Sequence, residues 1–574
     1  MKTESFMNPN SRSSLLSRSG IIAILGLVLA VCPSGLGAES RDTSHAQRRP
    51  NIVFAFGDDY GRYASIYAAL DGAGCINELV HTPNIDRVAK EGVLFLNAFT
   101  PAPSCTPCRS SLLSGQYFFQ TGRGAILQGA VWDSSIPSFP LAIEANGYHI
   151  GYSCKVWGPG SPINAPYGGM RTRYQSAGDH FGWNFSKYAT KMMAQGKSRD
   201  QAKQLLYDET LANFNQFLSA RKGDKPFCYW WGPTNTHRSW QRGSGKNLWG
   251  LNPDDLKGRM PAFLPDVPEV REDFCDYLGE CQAFDAGLGV IMKRLEEIGE
   301  LDNTLLVVSG DHGIPGFPRG KCNLYDLGCE VTLAARWPGK IKPGRVVKDI
   351  VSLMDLAPTF CEATNTPVPS TMKAKSLMPI LLSPDSGQID KTRNFVIIGR
   401  ERHARKAREG DLPYPQRAIR SEDFLYVRNF KPDRWPAGDP MGMYDPVAEP
   451  PPVKMAHGKS RGKTRGKSPE GFADIDGSPT KTWMIANRAD KMVWPLFELG
   501  FGKRPAEELY DIRRDPDHMH NIAGDRRYES TRKLMAAKLM QVLTEQKDPR
   551  VCENPCRYEY PPYAGTPGKS GAQR

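Results

Sequence analysis

Apolar and polar positions along the chain repeat one alternation. A short apolar run, Asn51 to Phe56 in "RRPNIVFAFGDDYG", ends at Gly57 and two acids, Asp58 and Asp59. It reads as a buried strand that delivers two carboxylates at its C-terminal end. "HTPNIDRVAKEG" reads as a helix with Thr82 at the N-cap, Pro83 in the first helical position and Gly92 at the stop. "GVLFLNAFT" is a second strand. "SFPLAIEANGYHIGYSCK" is a helix halted at Gly147, then a strand running to Lys155. An amphipathic helix, "SRDQAKQLLYDETLANFNQFLSA", leads into the strand "PFCYWWG". Phe274 to Ile298 is a long helix, and "NTLLVVSGDHG" is a strand closing on Asp311 and His312.

Strands alternating with helices predict an α/β fold, a parallel sheet with helices on both faces. Sites in such sheets form beyond the C-terminal strand ends. Asp58, Asp59, Lys155, His237, Asp311 and His312 all fall at such ends. After about residue 390 the pattern breaks into short strand-like runs, "NFVIIGRE", "FLYVRNF" and "EELYDI", and one amphipathic helix, "ESTRKLMAAKLMQVLTEQ". The expected organisation is a catalytic domain over 50–385 and a smaller C-terminal α+β domain over 390–560.

Composition changes this picture at the ends and in one insertion. A chain of 574 residues is too long for one ordinary core. With 40% hydrophobic and 24% charged residues it has a globular composition. Arg12 and Arg18 precede the apolar run "IIAILGLVLAV", and small residues lead to Ala38. Residues 1–38 therefore read as a signal peptide, since the run is short for a membrane span. The expectation is a secreted or periplasmic protein with no stable membrane partner. Thirteen cysteines in an exported chain permit disulfides, with Cys275–Cys281 and Cys552–Cys556 as candidates. Part of the net charge of +12 sits in a basic, glycine-rich insertion near 450–471, "KMAHGKSRGKTRGKSPEG". It reads as a disordered, solvated loop, with attraction to an anionic surface as the alternative. No nucleic-acid motif is present, so nucleic acid is excluded as a partner.

Two acid-bearing strand ends suggest a hard-cation site: Asp58, Asp59 and Asp311 supply oxygens, with His312 beside them. The stretch "CTPCRSSLLSG", residues 105–115, is the other centre of chemistry. It resembles the sulfatase signature, Cys-x-Pro-Ser/Ala-Arg followed by a small-residue helix. Further segments are similar to that family: "RPNIVFAFGDDYG", "DHG", Gly320–Lys321, "WPG" at 337–339, "SLMDLAPTF" and "ELYDIRRDPDHMHNIA".

The resemblance implies an alkaline-phosphatase-like α/β/α sandwich with a small C-terminal domain. It implies that Cys105 is converted by a formylglycine-generating enzyme to formylglycine (3-oxoalanine), whose hydrate attacks sulfur. It implies one Ca2+ held by Asp58, Asp59, Asp311, His312 and the modified Cys105. Arg109 would orient the formylglycine hydrate, Lys155 and Lys321 would hold the sulfate, and His237 would protonate the leaving atom. A metal and fixed cations suit a group on whose oxygens charge builds, and imidazole suits a general acid. "GDHGIPGFPRGKCNLYDLG", "THRSW", "YPQR" and "DPRVC" lean toward the heparan N-sulfatase branch, hence toward a sulfated polysaccharide or oligosaccharide substrate. Arg238 and His403 are candidates for substrate contacts, and His149 reads as a structural histidine.

Two positions depart from the family pattern. Cys108 stands where serine is usual, which leaves a Cys-x-Pro-Cys redox pair or a Cys105–Cys108 disulfide as alternatives. Trp157 replaces a family histidine, which leaves a catalytically inactive glycan-binding homologue as another. A phosphate-ester hydrolase of the same fold and an O-sulfatase complete the alternatives.

Overall fold

The computed structural model describes residues 48–440 and 471–563. The signal-peptide reading and the basic insertion, save Gly471, lie outside the described residues. No helix among these residues is long and apolar enough to cross a membrane.

A seven-stranded sheet organises the first part of the chain. Its strands are β1 (Asn51–Gly57), β2 (Val93–Phe99), β3 (His149–Cys154), β4 (Phe227–Gly232), β5 (Thr304–Gly310), β6 (Leu333–Arg336) and β7 (Arg345–Ser352), in the order β3-β4-β1-β5-β6-β2-β7. Parallel β1 lies between β4 and β5, with Ile52 opposite both Cys228 and Leu305. Both faces are covered, and period two divides each strand between them. Ile52, Phe54 and Phe56 pack with Leu112, Phe139 and Phe360 of the helices Cys105–Ser114, Phe139–Ala145 and Leu356–Ala363. Val53 and Ala55 face Phe214, Phe284 and Leu288 of the helices Arg199–Ala220 and Pro268–Glu297. Each such fully buried large side chain contributes about 1.5–3 kcal/mol. This is the alkaline-phosphatase-like α/β/α sandwich.

The sheet is not wholly parallel, as expected above, because β6 runs antiparallel to β5 and β2. Residues 311–332 hold one four-residue helix, Asp326–Cys329, and no crossover to the opposite sheet edge. The chain therefore re-enters the sheet in the reverse sense; a parallel return needs a crossover that runs back along the sheet, usually as an α-helix, and this segment has none. That segment stays at the C-terminal ends of β1 and β5, over the acids.

A second, antiparallel sheet follows, in the order β11-β10-β9-β8: β8 (Phe395–Arg400), β9 (Gln416–Ser421), β10 (Phe424–Asn429) and β11 (Glu507–Asp511). The helix Glu529–Glu545 covers one face through Met535, Leu539 and Leu543. The other face, with Val396, Ile398 and Leu425, packs on Phe99, Leu324 and Ile350. β9 was not anticipated, because Arg417 and Arg420 interrupt its apolar pattern. Both are buried by ion pairs, Arg417 with Asp548 and Glu401, and Arg420 with Asp326.

The disulfide candidates are not formed. Cys275, Cys281, Cys552 and Cys556 are free thiols, as are all the other cysteines among the described residues.

Candidate active site

Asp58 and Asp59 sit on the turn that leaves β1, and Asp311 and His312 on the one that leaves β5. The two turns are tied together: Asp311 N donates to Gly57 O at 3.1 Å, and Asp59 N donates to the Asp311 carboxylate at 2.7 Å. Gly310 permits this approach, since a Cβ there would lie 1.9 Å from Tyr60 O. Asp59 takes a positive φ of 61° at the turn. Tyr277 Oη donates to Asp59 O at 2.9 Å and Thr236 Oγ1 to Asp58 O at 2.5 Å, which secures both acids from neighbouring elements.

The helix Cys105–Ser114 points its first residue at these acids. Its ten residues are all buried, and Gly115 ends it at φ 62°, where a side chain would be strained. Cys105 Sγ lies 3.6 Å from Asp59 Oδ1. Arg109, one turn on, sends Nε to Asp311 at 2.9 Å and Nη2 to Asp58 at 3.0 Å. Lys155 Nζ meets both oxygens of Asp58, at 2.7 and 2.8 Å. Lys321 Nζ meets Asp59 Oδ2 at 2.8 Å, and His237 Nε2 lies 3.9 Å from that oxygen. Three carboxylates thus face three fixed cations.

Electrostatics follow from this pairing. Burial alone would raise Asp58, but Lys155 and Arg109 outweigh it and hold the carboxyl well below the usual range. Asp311 is raised, because burial exceeds the help of His312 and Arg109. Burial, then Asp58, pushes the Cys105 thiol well above its ordinary value, and burial and Asp311 raise Cys108. Redox pairs need a low-pKa thiolate, so the Cys-x-Pro-Cys redox reading has no support. Cys108 points into the core beside Leu112 and does not bond Cys105.

The donor set fits a hard cation. Asp59, Cys105, Asp311 and His312 offer ligand atoms within 4.8 Å of one another, as do Asp58, Asp59 and His237. His312 Nδ1 sits 3.1 Å from Gly313 O, while Nε2 is buried without a hydrogen-bond partner. With Nδ1–H donating to that carbonyl, the Nε2 lone pair faces Asp59 Oδ1 at 3.2 Å and Asp311 Oδ1 at 3.5 Å. A cation resolves that juxtaposition of acceptors.

Other expected residues lie elsewhere. The Arg238 guanidinium is committed to Asp273 at 2.7 and 2.9 Å and to Pro315 O, so it braces the Asp311 loop against the long helix. This leaves no free fork for a substrate carboxylate. His403 is buried beneath the start of the Cys105 helix, with Nδ1 2.9 Å from Ser104 Oγ, and burial lowers it to about 3. His149 packs on Phe217 at the far strand end. Trp157 donates Nε1 to Ser110 Oγ at 2.8 Å and stacks edge-on with Trp132. It buttresses the Cys105 helix and supplies no acid.

The sequence reading missed Asp476, which lies 3.2 Å from Lys321 Nζ. Nothing in its local pattern marks it. It also missed Glu280, whose backbone and side-chain oxygens accept from Asn235 in the His237 loop. Burial pushes Glu280 up to about 7. The folded protein then binds a proton that the unfolded chain releases at lower pH, so stability falls as pH rises from the carboxylate range through about 7. Glu280→Gln is expected to melt higher than wild type near about pH 8.5, by on the order of 2 kcal/mol, with the gap shrinking near about pH 5. Parallel melting curves at both pH values check this; a gap independent of pH contradicts it.

Fold and site together place acids, fixed cations and a buried cysteine beyond the strand ends of an alkaline-phosphatase-like sandwich. The family model for sulfatases matches residues 50–366, and the chain belongs to the sulfatase family, enzymes that hydrolyse sulfate esters. An ulvan-active sulfatase of Formosa agariphila is 25% identical over 94% of this chain and 90% of its own. Human N-sulphoglucosamine sulphohydrolase is 25% identical over 88% of this chain and 92% of its own. The solved structure of BT4656 in complex with its substrate D-glucosamine-2-N,6-O-disulfate superposes with TM-score 0.51 at 19% identity, covering 87% of this chain and 99% of that one.

Proposed function

We propose that this protein is a formylglycine-dependent sulfatase that removes sulfate from an anionic sulfated glycan, with an N-sulfated glucosamine end as the first substrate to test. The observation that carries the reading is the placement of Cys105: at a helix start, 3.6 Å from Asp59 and one turn from the Arg109 that bridges Asp58 and Asp311. An export route by signal peptide and maturation by a formylglycine-generating enzyme belong to the same reading.

Asp58, Asp59, Asp311 and His312 would hold Ca2+, which when bound supplies positive charge to the sulfate oxygens. Cys105, once oxidised to the aldehyde by the generating enzyme and hydrated, would supply an oxygen nucleophile for sulfur. The rest falls to the chain's own cations. Lys155 and Lys321 offer N–H donors on two sides of the anion. Arg109 is fixed by both acids, so its charge faces the Cys105 side chain without reorganising. His237, partly open to solvent at the pocket edge, is placed to hand a proton to the departing oxygen or nitrogen. A second reading, O-sulfate ester hydrolysis, is favoured by the equal identity of the ulvan-active relative.

Peptide mass of the Cys105 segment from the native host should show sulfur replaced by an aldehyde oxygen; unmodified cysteine there sinks the mechanism. Release of sulfate from D-glucosamine N-sulfate but not from O-sulfated sugars supports the N-sulfatase assignment. Release from O-sulfates alone replaces it with the second reading.

A further inference from the structure

The side chains that reach solvent at the pocket differ from those that make its floor. His237 and Asp476 are 32% and 30% exposed, whereas Lys155 and Lys321 are 12% and 4% exposed. Both partly exposed side chains adjoin the Asp59–Lys321 pair, His237 through Asp59 and Asp476 through Lys321.

Asp476 is held rigidly in that place. Two residues before it, Asp474 is clasped by Arg400 and Arg408 and accepts from Ala404 N. Two residues after it, Ser478 Oγ donates to Gly316 O at 2.6 Å and accepts from Lys481 N at 2.9 Å. The segment is thus pinned to the second sheet on one side and to the Asp311 loop on the other. Asp476 Oδ2 is buried in an ion pair with Lys321 Nζ at 3.2 Å, while the side chain as a whole stays partly open to solvent.

A carboxylate at the mouth of an anion-binding pocket repels the substrate unless it takes something in return. A hydrogen bond to a carboxylate is among the stronger ones, so a neutral or cationic donor on the substrate would offset that repulsion. We propose that Asp476 is a specificity residue: it accepts a hydrogen bond from a hydroxyl or amino group of the leaving sugar beside the sulfated atom, and it disfavours substrates with a second anionic group there. The inference rests on the sulfatase reading above and names its substrate class more narrowly, as sugars with a neutral or cationic donor next to the sulfate.

The test compares wild type with Asp476→Asn, fully matured, on D-glucosamine N-sulfate and on 4-nitrophenyl sulfate, whose leaving group has no such donor. Binding of inorganic sulfate by calorimetry is measured alongside. The variant should lose roughly 10- to 100-fold in kcat/KM on the sugar, the range for a hydrogen bond to a charged acceptor. Its loss on the aryl sulfate should be at least about tenfold smaller, with inorganic sulfate bound no more weakly. Equal losses on both substrates, or weakened inorganic sulfate binding, mean that Asp476 merely positions Lys321, and the proposal falls. If wild type releases sulfate from neither substrate and binds no inorganic sulfate, the sulfatase reading itself fails. If it turns over the aryl ester and binds sulfate but rejects the sugar, only the assignment of the sugar donor fails.

Discussion

Cys105→Ala is expected to abolish sulfate release, by roughly 10⁴-fold or more, while leaving the fold in place. The thiol is buried at the first residue of its helix and touches the carboxylate of Asp59. Burial and Asp58 hold it protonated, so an unmodified cysteine there is a poor nucleophile. Converting it to an oxygen nucleophile answers this problem, and removing it leaves the cations with an anion to bind and nothing to attack it. Alanine adds no bulk to the buried site, so melting temperature should change little. Inorganic sulfate should still bind, because Lys155, Lys321 and Arg109 remain. Turnover of an aryl sulfate by Cys105→Ala, measured beside wild type, would remove Cys105 from the mechanism.

Arg109→Ala should damage stability as well as turnover. The guanidinium is fully buried, bridges Asp58 and Asp311, and lies 4.9 Å over the Phe56 ring. Removing one member of a buried charge network leaves the other members uncompensated, at a cost of about 3–5 kcal/mol. Asp311 is affected most, since burial already raises it and Arg109 is one of the groups holding it down. A divalent cation bound by the same carboxylates should replace part of the lost charge. At about 100 times its Kd it would restore about 2.7 kcal/mol. Denaturant unfolding of Arg109→Ala with chelator and with added Ca2+ measures both effects. A variant as stable as wild type in chelator, with no response to Ca2+, would show that the three carboxylates are not coupled through Arg109.

Much of this site was legible along the chain. Asp58, Asp59, Asp311 and His312 end buried strands, and the strand period fixes where such residues emerge. The helix Cys105–Ser114 was legible from "CTPCRSSLLSG" and the glycine that ends it. Lys155 follows β3 for the same reason that Asp58 follows β1. Less was legible where a polar residue is buried by a partner far away in the chain. Arg417 interrupts the pattern of β9 because Asp548 and Glu401 neutralise it from other elements. The antiparallel β6 was hidden too, since an apolar run carries no sign of direction.

Local periodicity and the chemistry of strand ends, properties of neighbours in sequence, were enough to determine the layered sheet and the acids at its strand ends, and the resemblance of the Cys105 segment to the sulfatase signature pointed to the family. Only the tertiary structure decided the partners. It gave Arg238 to Asp273, buried His403 under Ser104, set Trp157 against Ser110 and brought Asp476 to the mouth beside Lys321. The reason is physical: a side chain's direction follows from its own backbone, but its partner depends on how distant segments close over one another.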